Sequence, residues 1–243
     1  MDCLCRQPKA AEWRITVKIE LHAHTQEASP CAHVPASQIP AMYQSAGYDG
    51  IVITDHYCKW VKDQSGSTSP QEYARYFLKG YQTAREAGSA IGFTVLLGAE
   101  VNLLESPNDY LLYGIDENFL MEHPQIYALT LRQLYELCHS KGILLFQAHP
   151  YRTYCTPANP EYLDGAESYN GNPRHNNQND SAAGWTAANH LIPSSGSDFH
   201  ETEDVAKGGI ETETDVTDIP TLCKILQEGR YRLIKPNGKG RLV

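Results

Sequence analysis

The chain has 243 residues, 41% hydrophobic and 20% charged, the balance of a globular protein and not of a disordered or fibrous one. Its formal charge of −9, from 29 acidic and 20 basic residues without a dense basic run, disfavours a nucleic-acid backbone as the main partner, because such binding needs clustered Lys and Arg. No stretch approaches the ~20 apolar residues of a membrane span, the N-terminal residues carry no apolar signal core, and the scattered cysteines, with Cys3 and Cys5 lacking zinc-ribbon spacing, fit a reducing cytoplasm.

In chain order, the pattern alternates short β-rich runs with amphipathic segments. Strands are expected at 15–21, 51–54, 93–97, 111–113, 143–146, 165–168, 192–195 and 231–234. Helices are expected at 36–46, 70–87, 130–141 and 219–228, with Ser69-Pro70 as a helix start and Gly88 and Gly142 as helix stops. This alternation predicts a single α/β domain with mostly parallel strands. The Asn/Gly/Pro-rich part of 157–179 reads as a surface loop, and the closing KPNGKGRLV as a frayed tail.

Chemistry gathers at the ends of the apolar runs. His22 and His24 stand two residues apart, so an extended backbone points both imidazoles to one face. Asp55-His56 follows IVIT, Glu100 follows TVLLGA, His149 follows LLFQA, and Asp198 and His200 follow IPSSGS. In a β/α barrel the C-terminal strand ends open onto one face, so these groups can converge although they are far apart in sequence. A histidine at one strand end is ordinary; agreement across five strand ends is not. Imidazoles and carboxylates together suit zinc, manganese or iron. The candidates His22, His24, His56, Glu100, His149, Asp198 and His200 exceed the roughly four ligands of one zinc, so two or three divalent ions are expected, with Glu100 able to bridge. Such ions would make the cleft positive within an acidic chain and favour a small anionic substrate.

In that order, HAH, TDH, GAE, AHPYR and GSDFH resemble the polymerase and histidinol phosphatase (PHP) family. The resemblance implies a distorted seven-stranded β/α barrel and metal-dependent phosphoester hydrolysis by a metal-bound hydroxide. It also implies that His22, His24, Glu100 and Asp198 hold one ion, Glu100 and His149 share the next, and His56 and His200 serve a third. Arg152 is a candidate phosphate ligand through its guanidinium fork, with a rim salt bridge as the alternative. His200, where not committed to metal, is a candidate proton donor. Asp55 is expected to orient its neighbours and not to coordinate. His123, His139, His175 and His190 read as surface residues, and Cys31 and Cys58 as small buried hydrophobes. Two positions depart from the family pattern: Ser29-Pro30-Cys31, with His33 beyond, stands where members carry a histidine or acid, and SPNDYLLYG offers Asp109 or Tyr110 where another histidine is common. Asp109 is the preferred substitute. The expected activity is a small-molecule phosphomonoesterase. A histidinol phosphatase specifically, a PHP-type exonuclease and an amide or lactone hydrolase are the rivals.

Overall fold

The computed structural model describes residues 16–235. The Cys3/Cys5 pair, the N-terminal stretch and all but the first residue of the KPNGKGRLV tail lie outside the described residues. Strand β1 (Val17–Ala23) lies beside β2 (Gly50–Ile53), which pairs with β4 (Thr94–Asn102). The sheet continues through β5 (Asp109–Tyr113), β6 (Leu144–Gln147), β7 (Gly165–Asn170) and β8 (Ile192–Gly196), while β9 (Ile210–Thr212) and β10 (Arg232–Leu233) extend it beyond β1. Two-residue β3 (His56–Tyr57) attaches to β4. A parallel bridge from Ala23 to Phe199 ties the chain after β8 back to β1, so the sheet is a nearly closed barrel.

The strand count and direction correct the expected seven-stranded, mostly parallel barrel. The path holds nine strands, with β3 off it, and β5 runs antiparallel to both β4 and β6. Only 103–108 separate β4 from β5, too few residues for a crossover helix, so the chain must turn back. Strands β9 and β10 are likewise antiparallel additions at β1.

Helices begin and end where their caps dictate. In α3 (Pro70–Ile91), the Ser69 hydroxyl accepts from Glu72 N at 3.2 Å while Glu72 Oε2 accepts from Ser69 N at 3.3 Å. Gly88 does not stop this helix. It allows close packing against Phe93 and Val95, and the left-handed Gly92, at φ +69°, ends the helix instead. Thr130 and Gln133 cap α5 (Leu131–Ser140) in the same manner, and Asp218 accepts from Thr221 N at 2.8 Å to open α7 (Ile219–Glu228). The remaining helices are α1 (Ile39–Ser45), α2 (Lys59–Gln64), α4 (Glu117–Glu122) and α6 (Asn179–Ala188).

Inside the barrel, Ile19, Leu21, Val52, Leu96, Leu111, Tyr113, Leu144 and Phe146 form an apolar cluster with α7. A second cluster fills the space under α3–α5, and a third joins α1 and α3 to the sheet. The apolar filling ends at the C-terminal strand ends, where the buried side chains become His22, His24, Glu100, His149, Glu167 and Asp198.

Candidate metal centre

Strand β1 delivers His22 and His24 to one face, as the alternation requires, and their Nε2 atoms lie 3.1 Å apart. Glu100 reaches the same point from inside β4, two residues before its end and opposite His56 of β3, so this strand runs past its candidate ligand and does not stop before it. His149 and Asp198 follow β6 and β8 and adopt positive φ, 26° and 51°. Non-glycine residues pay for that backbone geometry, and such strain concentrates at functional sites.

Hydrogen bonds fix which nitrogen each ring presents. His22 Nδ1 lies 2.9 Å from Glu167 Oε1. A proton held there leaves Nε2 as a lone pair aimed at the cluster. His24 Nδ1 faces Ser29 Oγ at 3.3 Å, and Ser29 in turn donates to Asp55 at 2.7 Å, so His24 is turned the same way. His200 Nδ1 donates to the carbonyl of Asp198 at 2.9 Å, which again leaves Nε2.

Four tetrahedral ligands at zinc bond lengths of about 2.0–2.1 Å stand about 3.3–3.4 Å from one another. Here His22 Nε2 lies 3.2 Å from Glu100 Oε1 and 3.5 Å from Asp198 Oδ1, while His24 Nε2 lies 3.3 Å from Glu100 Oε2 and 3.4 Å from Asp198 Oδ1. The spacing fits one ion. Glu100 also offers Oε1 to His149 Nε2 at 3.1 Å and Oε2 to His56 Nδ1 at 2.9 Å. The latter approach lacks hydrogen-bond alignment, and buried Glu100 Oε2 has no hydrogen-bond partner. An orphaned carboxylate oxygen among imidazoles is the feature that a cation would satisfy.

Further groups sort the sequence candidates for the other positions. Asp109, His149 and Cys155 form one candidate ligand group, and His56, Glu100 and Asp109 another; His24, His56 and His200 form a third. Tyr110 points the other way, into the apolar core. His33 pairs with Glu201 at 2.6 Å at the rim. Asp55 holds the 25–29 turn by accepting from Thr25 and Ser29, and Ser29 links it to His24 Nδ1. Cys31, expected to be a small buried hydrophobe, is only partly buried and lines the cavity with His56 and His200, and although burial opposes the thiolate, those two histidines bring the thiol down to about 6. His123 is not a plain surface residue either, because its ring packs on Phe119 with Nε2 buried.

Electrostatics follow from this crowding. Burial opposes ionisation of Glu100 and Asp198, but His22 and His56 beside the first, and Arg152 and His22 beside the second, hold both well below the usual carboxylate range. Burial resists charge on His22, yet Glu100, Glu167 and Asp198 raise it well above the ordinary imidazole value. Burial and Arg152 resist charge on His149 too, but hydrogen bonds with Cys155 and Glu100 push it up to about 10. Without ions the raised imidazoles of His22, His56 and His149 favour protons that balance the carboxylates. Metal binding displaces such protons.

Arg152 sits beside the cluster. Its Nε donates to Asn177 at 2.9 Å, and its NH2 donates to Asn170 at 3.2 Å and to Asp198 Oδ2 at 2.5 Å. Those bonds leave out NH1. Arg152, Arg174, His175, His56, His149 and His200 help line a cavity of about 360 Å³.

Several contributors escaped the sequence reading. Glu167 orients His22 and accepts from the backbone of His149 at 2.9 Å, linking two candidate ligands. The signal was a carboxylate inside GAES, a strand otherwise small and buried. Gly196 makes room for that contact, since a Cβ there would meet Glu167 Oε1 at 2.7 Å. Glu20, fully buried, accepts from the amides of His22 and Ser197 at 3.0 and 2.8 Å and so joins the first and last ligand segments. Arg174 pairs bidentately with buried Asp204, whose carboxylate also accepts from the amide of His200.

Neither a protein-family model nor a curated protein matches this chain in sequence. Solved structures do match. A two-domain protein from Bacteroides vulgatus containing a predicted PHP-like metal-dependent phosphoesterase superposes with TM-score 0.68 at 16% identity, over 91% of this chain and 65% of its own. The fold is PHP-like. The lesion-specific endonuclease PfuEndoQ from Pyrococcus furiosus shares it with TM-score 0.58 at 14% identity, over 94% of this chain and 58% of its own. An amidohydrolase from Chromobacterium violaceum with bound sulfate and no metal gives TM-score 0.51 at 16% identity, over 88% of this chain and 96% of its own. This chain therefore spans under two thirds of the Bacteroides and Pyrococcus proteins, and at these identities the likeness is one of fold. No helix among the described residues is long and apolar enough to cross a membrane.

Proposed function

We propose that this PHP-like domain is a divalent-metal-dependent hydrolase of small phosphomonoesters. The observation that carries the proposal is the set of donors from His22, His24, Glu100 and Asp198, spaced 3.1–3.5 Å apart around a shared carboxylate that also faces His56 and His149. Ions held there would lower the pKa of water toward ~7 and neutralise phosphoryl charge. Glu167, Ser29 and Glu20 keep the donor atoms aimed, and Arg152 offers NH1 to a phosphoryl oxygen. His200 serves as a ligand through Nε2, because its Nδ1 proton is committed to the Asp198 carbonyl.

The cavity favours a small substrate over a polymer: about 360 Å³ lies at the low end of small-ligand sites, roughly 300–1,000 Å³. The test is a panel of sugar, nucleotide and amino-alcohol phosphates including histidinol phosphate, run with metal-reconstituted protein. Inorganic phosphate is expected from one or more of them, and Arg152→Ala is expected to raise KM with metal content unchanged. Degradation of single-stranded DNA without phosphate release from any monoester would contradict the reading, as would hydrolysis confined to amides or lactones.

A further inference from the structure

We propose that Cys155 is a positioning residue for the metal centre: its sulfur accepts a hydrogen bond from His149 Nδ1 and so reserves Nε2 of that ring for an ion beside Glu100. This rests on the reading of the cluster as a divalent-metal centre.

Three of the imidazoles have an oxygen at Nδ1: Glu167 for His22, Ser29 for His24 and the Asp198 carbonyl for His200. His149 has a sulfur. Cys155 Sγ lies 3.6 Å from His149 Nδ1, whereas His149 Nε2 lies 3.1 Å from Glu100 Oε1 and 3.9 Å from Asp109 Oδ2. A thiol carries one proton, and the other neighbour of Sγ, the Pro107 carbonyl at 4.0 Å, can only accept it. The sulfur therefore faces the ring with its lone pairs, and the ring keeps its proton on Nδ1. Nε2 is left bare on the side of Glu100.

The backbone builds this contact. Arg152 N donates to the His149 carbonyl at 3.0 Å and Cys155 N to the Arg152 carbonyl at 2.8 Å, two successive turns that return the sulfur to the ring. Thr156 is then clamped: its amide donates to Asn108 Oδ1 at 2.9 Å, and its carbonyl accepts from Asn108 Nδ2 at 2.9 Å and from Gln147 Nε2 at 2.8 Å. Asn108 and Gln147 are both buried. Asp109, His149 and Cys155 have ligand atoms within 4.8 Å of one another, but the sulfur bonds to the nitrogen that does not face Glu100, which suits a hydrogen bond and not ligation of the same ion.

The experiment titrates zinc-loaded, full-length protein with a chelator. Cys155→Ala is expected to weaken zinc retention about 10–100-fold, and Cys155→Ser, whose hydroxyl also accepts and donates, to recover most of it. Metal-free unfolding of both variants should match wild type, which separates aim from fold. In the proton–nitrogen correlation spectrum of the histidine rings of the zinc form, assigned with His149→Gln, wild-type His149 should carry its proton on Nδ1, and Cys155→Ala should speed exchange of that proton with solvent. The cobalt(II) form should give the same near-ultraviolet absorption in wild type and Cys155→Ser. The Cys155 assignment is overturned if Cys155→Ala holds zinc as tightly as wild type, or if its loss of zinc merely tracks a lowered unfolding midpoint. It is overturned too if His149 binds zinc through Nδ1, or if Cys155→Ser removes a thiolate-to-cobalt band. Each of those results leaves the hydrolase reading standing. Failure of wild type to bind zinc overturns both.

Discussion

The interior of the barrel and its C-terminal strand ends use burial in opposite ways. Toward the middle, Leu111, Phe146, Ile19 and Leu21 are fully buried among other apolar side chains, so removing water from them is itself stabilising. At the C-terminal strand ends His22, His24, Glu100 and Asp198 are equally buried, but they are charged or polar, packed against one another, and partly carried on positive-φ backbone. Such groups cost stability unless something compensates their charge. The contrast teaches that the core holds the donor groups in place, while the proposed cation would offset a cost of burial that the core does not carry.

That difference can be broken most sharply at Glu100. Glu100→Gln should abolish hydrolysis, a loss of at least ~100-fold, and remove more bound metal than His56→Ala, because the Glu100 carboxylate faces His22, His24, His56 and His149 with two oxygens, whereas a neutral imidazole such as His56 gives one lone pair to one ion. Turnover and metal content measured side by side check this. Equal losses would remove Glu100 from the bridging role. Phe146→Ala should do the reverse, costing about 3–5 kcal/mol in denaturant unfolding while the folded fraction binds metal normally.

A smaller effect is expected from Glu167→Gln, which leaves the ligands present but loosens the tautomer and aim of His22. Metal affinity should fall about 10–100-fold by competition with a chelator, with the fold intact. Smallest is a pH effect confined to metal-free protein. His149 is raised in the folded state to about 10, so the stability its protonation contributes is complete below its ordinary imidazole value and is lost as pH rises through about 10. Thermal unfolding of metal-free protein should therefore show this contribution disappearing between neutral and alkaline pH, and His149→Gln should remove it.

Much of this centre was legible because chemistry at strand ends leaves a local trace. His22 and His24 are read from alternation, and His56, His149, Asp198 and His200 each follow an apolar run. Glu100 was legible as a carboxylate that joins the cluster but not as a residue inside a strand, since the polar end of β4 looks like a strand stop. Glu167 and Glu20 were not recovered because their roles come from partners distant in sequence, and a single carboxylate in a strand carries no address for them. Cys31 gave no signal for its place on the cavity beside His56 and His200 because a lone cysteine is more often a small apolar filler. Helix α6 lacks an apolar stripe, its segment Asn179–Ala188 being small and polar, while β3 and β9 are too short to show a period. The reversed β5 follows from the short connection before it, a constraint visible only once β4 is known to reach Asn102.

The central claim is a shared-carboxylate, multi-ion centre. Its most direct test is elemental analysis of protein stripped of metal, reconstituted, and freed of loosely bound ions. At least two divalent ions per chain are expected in wild type, with a clear loss in Glu100→Gln. One ion or fewer per folded wild-type chain would contradict the account.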